Sequence, residues 1–274
     1  MSKTIAICNQ KGGTGKTTSA INISAYFAMA QKKTLLIDMD PQGNATSGLG
    51  IDKNTLSDTI YQTLINQMPA SQLIINTSVP NLSLIPSNID LIGAEIELSQ
   101  AENREFILQE AIKEIKDSFE FILIDCPPSL GFLTINALCA ADSVLIPVQC
   151  EYYALEGLSQ LFQTIERVRG TLRPELKIEG VVLTMADFRT NLTREVVQET
   201  RNFFKEKVYQ TIIPRSIRLG EAPGFGKPIA LYDQNSLGAK RYLDLSNEIL
   251  GMEINISPEN QGELEASETI DKET

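Results

Sequence analysis

The chain has no histidine among its 274 residues. That excludes an imidazole base, nucleophile relay or zinc ligand. Any catalysis must draw on lysine, carboxylates, a metal ion and backbone dipoles. No apolar run is long enough to span a bilayer. The N-terminus enters a strand pattern without the regions of a secretory signal, so a soluble, cytoplasmic protein is expected. Cys8, Cys126, Cys139 and Cys150 form no C-x-x-C pair and lie in or beside apolar runs. They are expected to be small buried hydrophobes rather than disulfide or metal partners. Positive charge is also scarce, and the net charge is −11. Beyond Met252, seven acids against Lys272 supply −6 of it. Residues 253–274 therefore read as a disordered acidic tail, and residues 1–252 as one folded domain.

What the chain does have is an alternation of short apolar runs and longer helical patterns. The runs are residues 4–8, 34–38, 82–86, 120–125, 143–148, 178–184 and 209–213. Amphipathic stretches lie at 17–30, 57–66, 88–98, 103–116, 131–140, 153–169, 192–205 and 237–250. In 153–169, Leu155, Leu158, Leu161, Phe162, Ile165 and Val168 share one helical face. Strands that are apolar throughout and separated by helices predict an α/β fold. It would be a mostly parallel, twisted sheet in a single domain, with helices on both faces. Ligands of such sheets sit beyond the carboxyl ends of the strands.

The first strand runs into Asn9-Gln10-Lys11-Gly12-Gly13-Thr14-Gly15-Lys16-Thr17-Thr18, and a helical pattern follows. Strand, glycine loop and helix together make a P-loop, whose backbone N–H groups and helix N-terminus cradle phosphates. Gly12, Gly13 and Gly15 let the backbone approach the anion. Lys16 can reach the β- and γ-phosphates, and the Thr17 hydroxyl can ligate Mg²⁺. The ordinary pattern would put its first glycine at Gln10, whereas here a second lysine, Lys11, opens the glycine run. Two further strand ends carry acids: Asp38 and Asp40 before Pro41, and Asp125 before Cys126-Pro127-Pro128. Taken singly, each would pass for a turn aspartate. Together, beside a P-loop, they form the acidic side of a Mg²⁺-nucleotide site.

The loop resembles the deviant Walker A ATPases, whose pattern is K-G-G-x-G-K-[ST]. The likeness to the ParA/Soj partition ATPases extends through residues 38–46, 125–129, 146–157, 184–192 and 219–228, covering roughly residues 3 to 250. It implies a P-loop NTPase that hydrolyses ATP with Mg²⁺. Lys11 would reach the nucleotide of a second subunit in an ATP-bound homodimer. Lys16 would hold the β/γ-phosphates alongside Gly12, Gly13, Thr14, Gly15, Thr17 and Thr18. Asp40 would position the attacking water, and Thr17, Asp38 and Asp125 would serve the metal. Pro214, Arg215 and Ser216 would line the adenine pocket, although the family usually has Asn in place of the shorter Ser216.

The same resemblance implies nonspecific binding to double-stranded DNA through Arg189 and Arg218, and stimulation by a ParB-like centromere-binding partner. Location on the nucleoid would follow. The two arginines lie in a stretch, Asp187 to Arg241, with ten cations against six acids. Without the resemblance it would read as a solvated helix face. A MinD-like membrane ATPase is the alternative, but such proteins end in a basic amphipathic helix, whereas an anionic bilayer repels an acidic tail. An electron carrier of the nitrogenase iron-protein type would need exposed cysteine ligands. A plain metabolic P-loop enzyme would leave Lys11 without a task.

Overall fold

The computed structural model describes residues 2–151 and 154–254, with the backbone alone over 154–159. Its strands are β1 (Lys3–Ile7), β2 (Thr34–Asp38), β3 (Ile75–Asn76), β4 (Leu82–Ile85), β5 (Phe121–Asp125), β6 (Ser143–Gln149), β7 (Lys177–Ala186) and β8 (Val208–Pro214). They form a sheet in the order β3-β4-β2-β5-β1-β6-β7-β8. Every pairing is parallel except that of β3 with β4. All seven apolar runs became strands. The eighth, β3, has two residues and no apolar run to announce it.

The apolar strands serve two cores at once. From β1 into the residue after it, Ala6 and Cys8 join one cluster and Ile5 and Ile7 the other. Along β2, Leu35 and Ile37 face the first and Leu36 the second. Period-two alternation between two buried faces is why these strands show no polar side. The first core is closed by α3 (Ile60–Asn66), α4 (Leu91–Glu97), α5 (Ile107–Ile112), α6 (Phe132–Ala140), α7 (Ala154–Thr171) and α8 (Asn191–Phe204). The second is closed by α1 (Lys16–Met29), α2 (Asn44–Gly48), α9 (Ile217–Glu221), α10 (Ile229–Tyr232) and α11 (Leu237–Leu250).

Helix α1 departs from the amphipathic pattern expected of 17–30, because every residue but Thr17 and Thr18 is buried. The cause is α11, which lies along its outer side. Ser19 Oγ and the Tyr242 hydroxyl are 3.1 Å apart, and the Tyr26 hydroxyl donates to Ala239 O at 2.9 Å. In α7, Leu161, Ile165 and Val168 are buried as expected, while the Leu155 and Leu158 side chains lie outside the described residues. Ordered packing runs to Ile254, which is buried and donates its N–H to Asn247 Oδ1 at 2.8 Å. The rest of the expected acidic tail, 255–274, lies outside the described residues. Among the described residues no helix is long and apolar enough to cross a membrane.

Candidate functional site

Strand register assembles the site. Ile7 pairs with Asp125, and Asp125 with Asp38, so the ends of β1, β5 and β2 lie side by side. The glycine loop leaves β1 there and turns into α1. Gly13 (φ 74°) and Gly15 (φ 86°) adopt the left-handed region. A Cβ at Gly13 would meet nothing within 4 Å, so backbone conformation rather than steric room requires glycine there. Gly12 is exposed without positive φ. Thr14 is buried, and its carbonyl accepts the Thr184 hydroxyl of β7 at 2.8 Å. Thr184 thus clamps the loop to the sheet.

Lys16, the first residue of α1, is buried and donates Nζ to Lys11 O at 3.1 Å. Burial lowers its pKa, against the opposing charge of Asp125. The three acids at these strand ends have unlike settings. Asp38 is fully buried and accepts Thr46 N and Thr46 Oγ1, both at 2.8 Å, and Asp40 N at 3.1 Å. Burial pushes its carboxyl up to about 6 despite those bonds. It therefore pins the turn that presents Asp40. Asp40 Oδ1 accepts Gln42 N at 2.9 Å, and its carbonyl accepts Ser87 Oγ at 2.8 Å. Asp125 is also fully buried, yet neither oxygen has a partner in hydrogen-bond geometry. Burial, then the neighbouring Asp38, raises its pKa well above the carboxylate range, and the nearby Thr17 hydroxyl and Lys16 only partly oppose this.

Such an orphaned carboxylate suits a divalent cation. Among the described residues no three acidic or cysteine side chains could cage an ion unaided. That agrees with Mg²⁺, which keeps waters and substrate phosphates as ligands. Thr17 and Asp125 lie next to each other there, and Asp38 neighbours Asp125 across the β2–β5 pairing.

Lys11 lies at the rim of the loop. Its N–H donates to Asn9 Oδ1 at 3.0 Å, and its Nζ is 3.4 Å from Glu151 Oε2. Pro214 ends β8, and Arg215, exposed, reaches Glu151 Oε1 at 3.2 Å. Ser216 is the N-cap of α9 and half-buried. Arg189 and Arg218 lie farther out and are already paired. Arg189 forks onto Asp187, with Nε–Oδ1 2.8 Å and Nη2–Oδ2 2.6 Å, and holds that carboxyl down to about 2. Arg218 pairs with Glu221 at 3.0 Å and Asp233 at 3.4 Å. The basic stretch is thus partly neutralised from within. All four cysteines are buried, as expected.

Sequence reasoning gave no role to Thr184, Glu151, Thr46 or Ser87. The first three fall inside the strings that carried the family resemblance. Nothing in the sequence marked Ser87, whose value depends on β4 ending beside β2.

A family model described as an AAA domain matches residues 2–178. The chain is 55% identical over 249 residues to the sporulation initiation inhibitor protein Soj of Bacillus subtilis, covering 91% of this chain and 98% of the relative. It is 54% identical over 254 residues to the chromosome partitioning protein ParA of Myxococcus xanthus, covering 93% and 90%. A structure described as cobyrinic acid a,c-diamide synthase from Mycobacterium smegmatis with bound ADP and magnesium superposes with a TM-score of 0.81. It is 34% identical and is covered to 94%, with 91% of this chain.

Proposed function

From the premise that the chain belongs to the ParA/Soj family of chromosome-partitioning ATPases, we propose that it is an ATP-driven switch that binds DNA as a nucleotide-bound homodimer. The observation that carries this reading is the orphaned Asp125 carboxylate beside Lys16 and Thr17 at the mouth of the glycine loop. A cation brought in with a polyphosphate would ionise and satisfy it while leaving the loop amides free for the phosphates.

Bound Mg²⁺ would supply the positive charge that neutralises the β- and γ-phosphate oxygens. Thr17 and Asp125 would hold it, and Asp38 would keep the adjoining turn in place. Lys16 gives up its bond to Lys11 O and turns Nζ to the β/γ-phosphates. Asp40, fixed by Gln42 N and Ser87, orients the attacking water. Lys11 of each protomer extends to the phosphates of the other, so two amines stabilise the transferring phosphoryl group. Pro214, Arg215 and Ser216 border the base. With no histidine and no strong base, turnover is slow by itself. A ParB-like partner would accelerate it in trans, by ~10³-fold or more if it inserts a cation. Arg189 and Arg218 exchange their carboxylate partners for DNA phosphates. Pairing two protomers doubles those contacts, so ATP controls DNA affinity and places the protein on the nucleoid.

The test is retention on duplex DNA with no nucleotide, ADP, ATP and a slowly hydrolysed ATP analogue, with anionic vesicles as a parallel surface. Retention on DNA only with ATP or the analogue, falling steeply with salt, is expected. Nucleotide-independent retention, or retention on vesicles instead, would overturn the reading.

A further inference from the structure

Glu151 sits where three strand ends meet. Its Oε1 accepts Gln149 Nε2 at 2.6 Å and faces Arg215 Nη2 at 3.2 Å, while its Oε2 faces Lys11 Nζ at 3.4 Å. Gln149 closes β6, Arg215 follows β8, and Lys11 opens the loop after β1. One carboxylate is thus shared between the amine assigned to the partner's nucleotide and the guanidinium assigned to the base pocket. The geometry points to Glu151 as a positioning residue that parks Lys11 on its own protomer, with Arg215 setting how easily Lys11 leaves. This inference rests on Lys11 acting across the dimer.

Three features make the arrangement a latch that opens. Lys11 is anchored through its backbone by Asn9, so only its side chain has to swing. Gln149 is 8% exposed and fixes the carboxylate, so the acceptor stays in place when Lys11 goes. Arg215 remains on the other oxygen, so Glu151 is not left without a cation. The pairs are half in water, with side-chain exposures of 33% for Lys11, 42% for Glu151 and 60% for Arg215. Exposed pairs shift an equilibrium about 1.4- to 5-fold each. Closing a dimer breaks two Lys11–Glu151 pairs, which compounds to roughly 2- to 25-fold. The latch therefore tunes the dimerisation threshold without preventing closure.

The signs of the effects are diagnostic. Glu151→Gln removes the charge and keeps the shape, so Lys11 leaves at no cost and the ATP-state dimer tightens by that factor. Arg215→Gln removes the compensating cation, so Lys11 is held harder and the dimer weakens. In the Glu151→Gln background Arg215→Gln no longer acts through Lys11, so it weakens the dimer less than it does in the wild-type background. If Glu151 were only a structural prop, both single variants would weaken the dimer.

The experiment is sedimentation over a protein concentration series with Mg²⁺ and saturating slowly hydrolysed ATP analogue. It uses full-length wild type, both single variants, the double variant and Lys11→Ala, with each thermal midpoint measured without nucleotide. A tighter Glu151→Gln dimer, a weaker Arg215→Gln dimer and unaltered midpoints are expected. If Lys11→Ala dimerises normally, the reading of Lys11 as a cross-dimer amine falls. If Lys11→Ala loses the dimer while folded Glu151→Gln matches or falls below wild type, the latch falls and that reading stands. An unfolded Glu151→Gln would overturn the latch as well, since a half-exposed pair cannot hold a fold together.

Discussion

Replacing Thr184 by valine removes one hydroxyl and keeps the β-branched shape that its place in β7 favours. The hydroxyl donates to Thr14 O at 2.8 Å, and Thr184 and Thr14 are 2% and 1% exposed. Water cannot replace the lost donor at that carbonyl. An unsatisfied buried acceptor costs about 1–3 kcal/mol. For a domain of this size each kcal/mol moves the thermal midpoint by about 2–4 °C. Thr184→Val should therefore lower the nucleotide-free midpoint by roughly 2–12 °C. It should also weaken Mg²⁺-ATP binding, because the loop must then be ordered by the ligand. Thr184→Ser keeps the donor and should recover most of both losses. Calorimetry and nucleotide titration of the three proteins provide the readouts. An unchanged midpoint with unchanged ATP affinity in Thr184→Val would refute the idea that this hydrogen bond holds the loop.

Asp40→Ala should retain ATP binding while turnover falls roughly 10²-fold or more, trapping the dimer on DNA; steady-state hydrolysis beside DNA retention measures both, and rapid turnover would contradict the water-positioning role. Arg189→Ala combined with Arg218→Ala should spare the dimer and reduce both retention on duplex DNA and its salt slope; unchanged retention would return these arginines to surface ion pairing. The Asp38 carboxyl lies at about 6 against an ordinary 3.8, so between those values the folded state binds more protons than the unfolded one. Stability of the nucleotide-free protein should then fall as pH rises through that window. Asp187, held down to about 2, titrates below the window. Mg²⁺-ATP should flatten the fall, since a nearby cation favours the ionised acids; a thermal midpoint that climbs across the window in the free protein would count against the burial argument.

The seven principal strands were legible because each is apolar throughout, and the parallel order follows from helices between them. Strand β3 was not, since two residues at a sheet edge carry no pattern. The short helices α2, α9 and α10 were hidden in glycine- and proline-rich loops that have no apolar period. Helix α1 looked two-sided because the sequence does not reveal that α11 covers its outer face through Ser19 and Tyr26. At the site, the loop and the three acids could be read from residue type and position. Their division of labour could not, because it depends on contacts across the fold. Thr46 occupies Asp38, while Asp125 has no partner in hydrogen-bond geometry. Glu151 acquires its meaning only when β6, β8 and the glycine loop are brought together.

The most direct measurement is the molecular mass in solution of wild type and Lys11→Ala, each with Mg²⁺ and either ADP or a slowly hydrolysed ATP analogue. Wild type should be a dimer only with the analogue, and Lys11→Ala should stay a monomer in both while still binding nucleotide. A wild-type protein that remains monomeric when saturated with the analogue, or a Lys11→Ala dimer as tight as wild type, would contradict a nucleotide held from both sides.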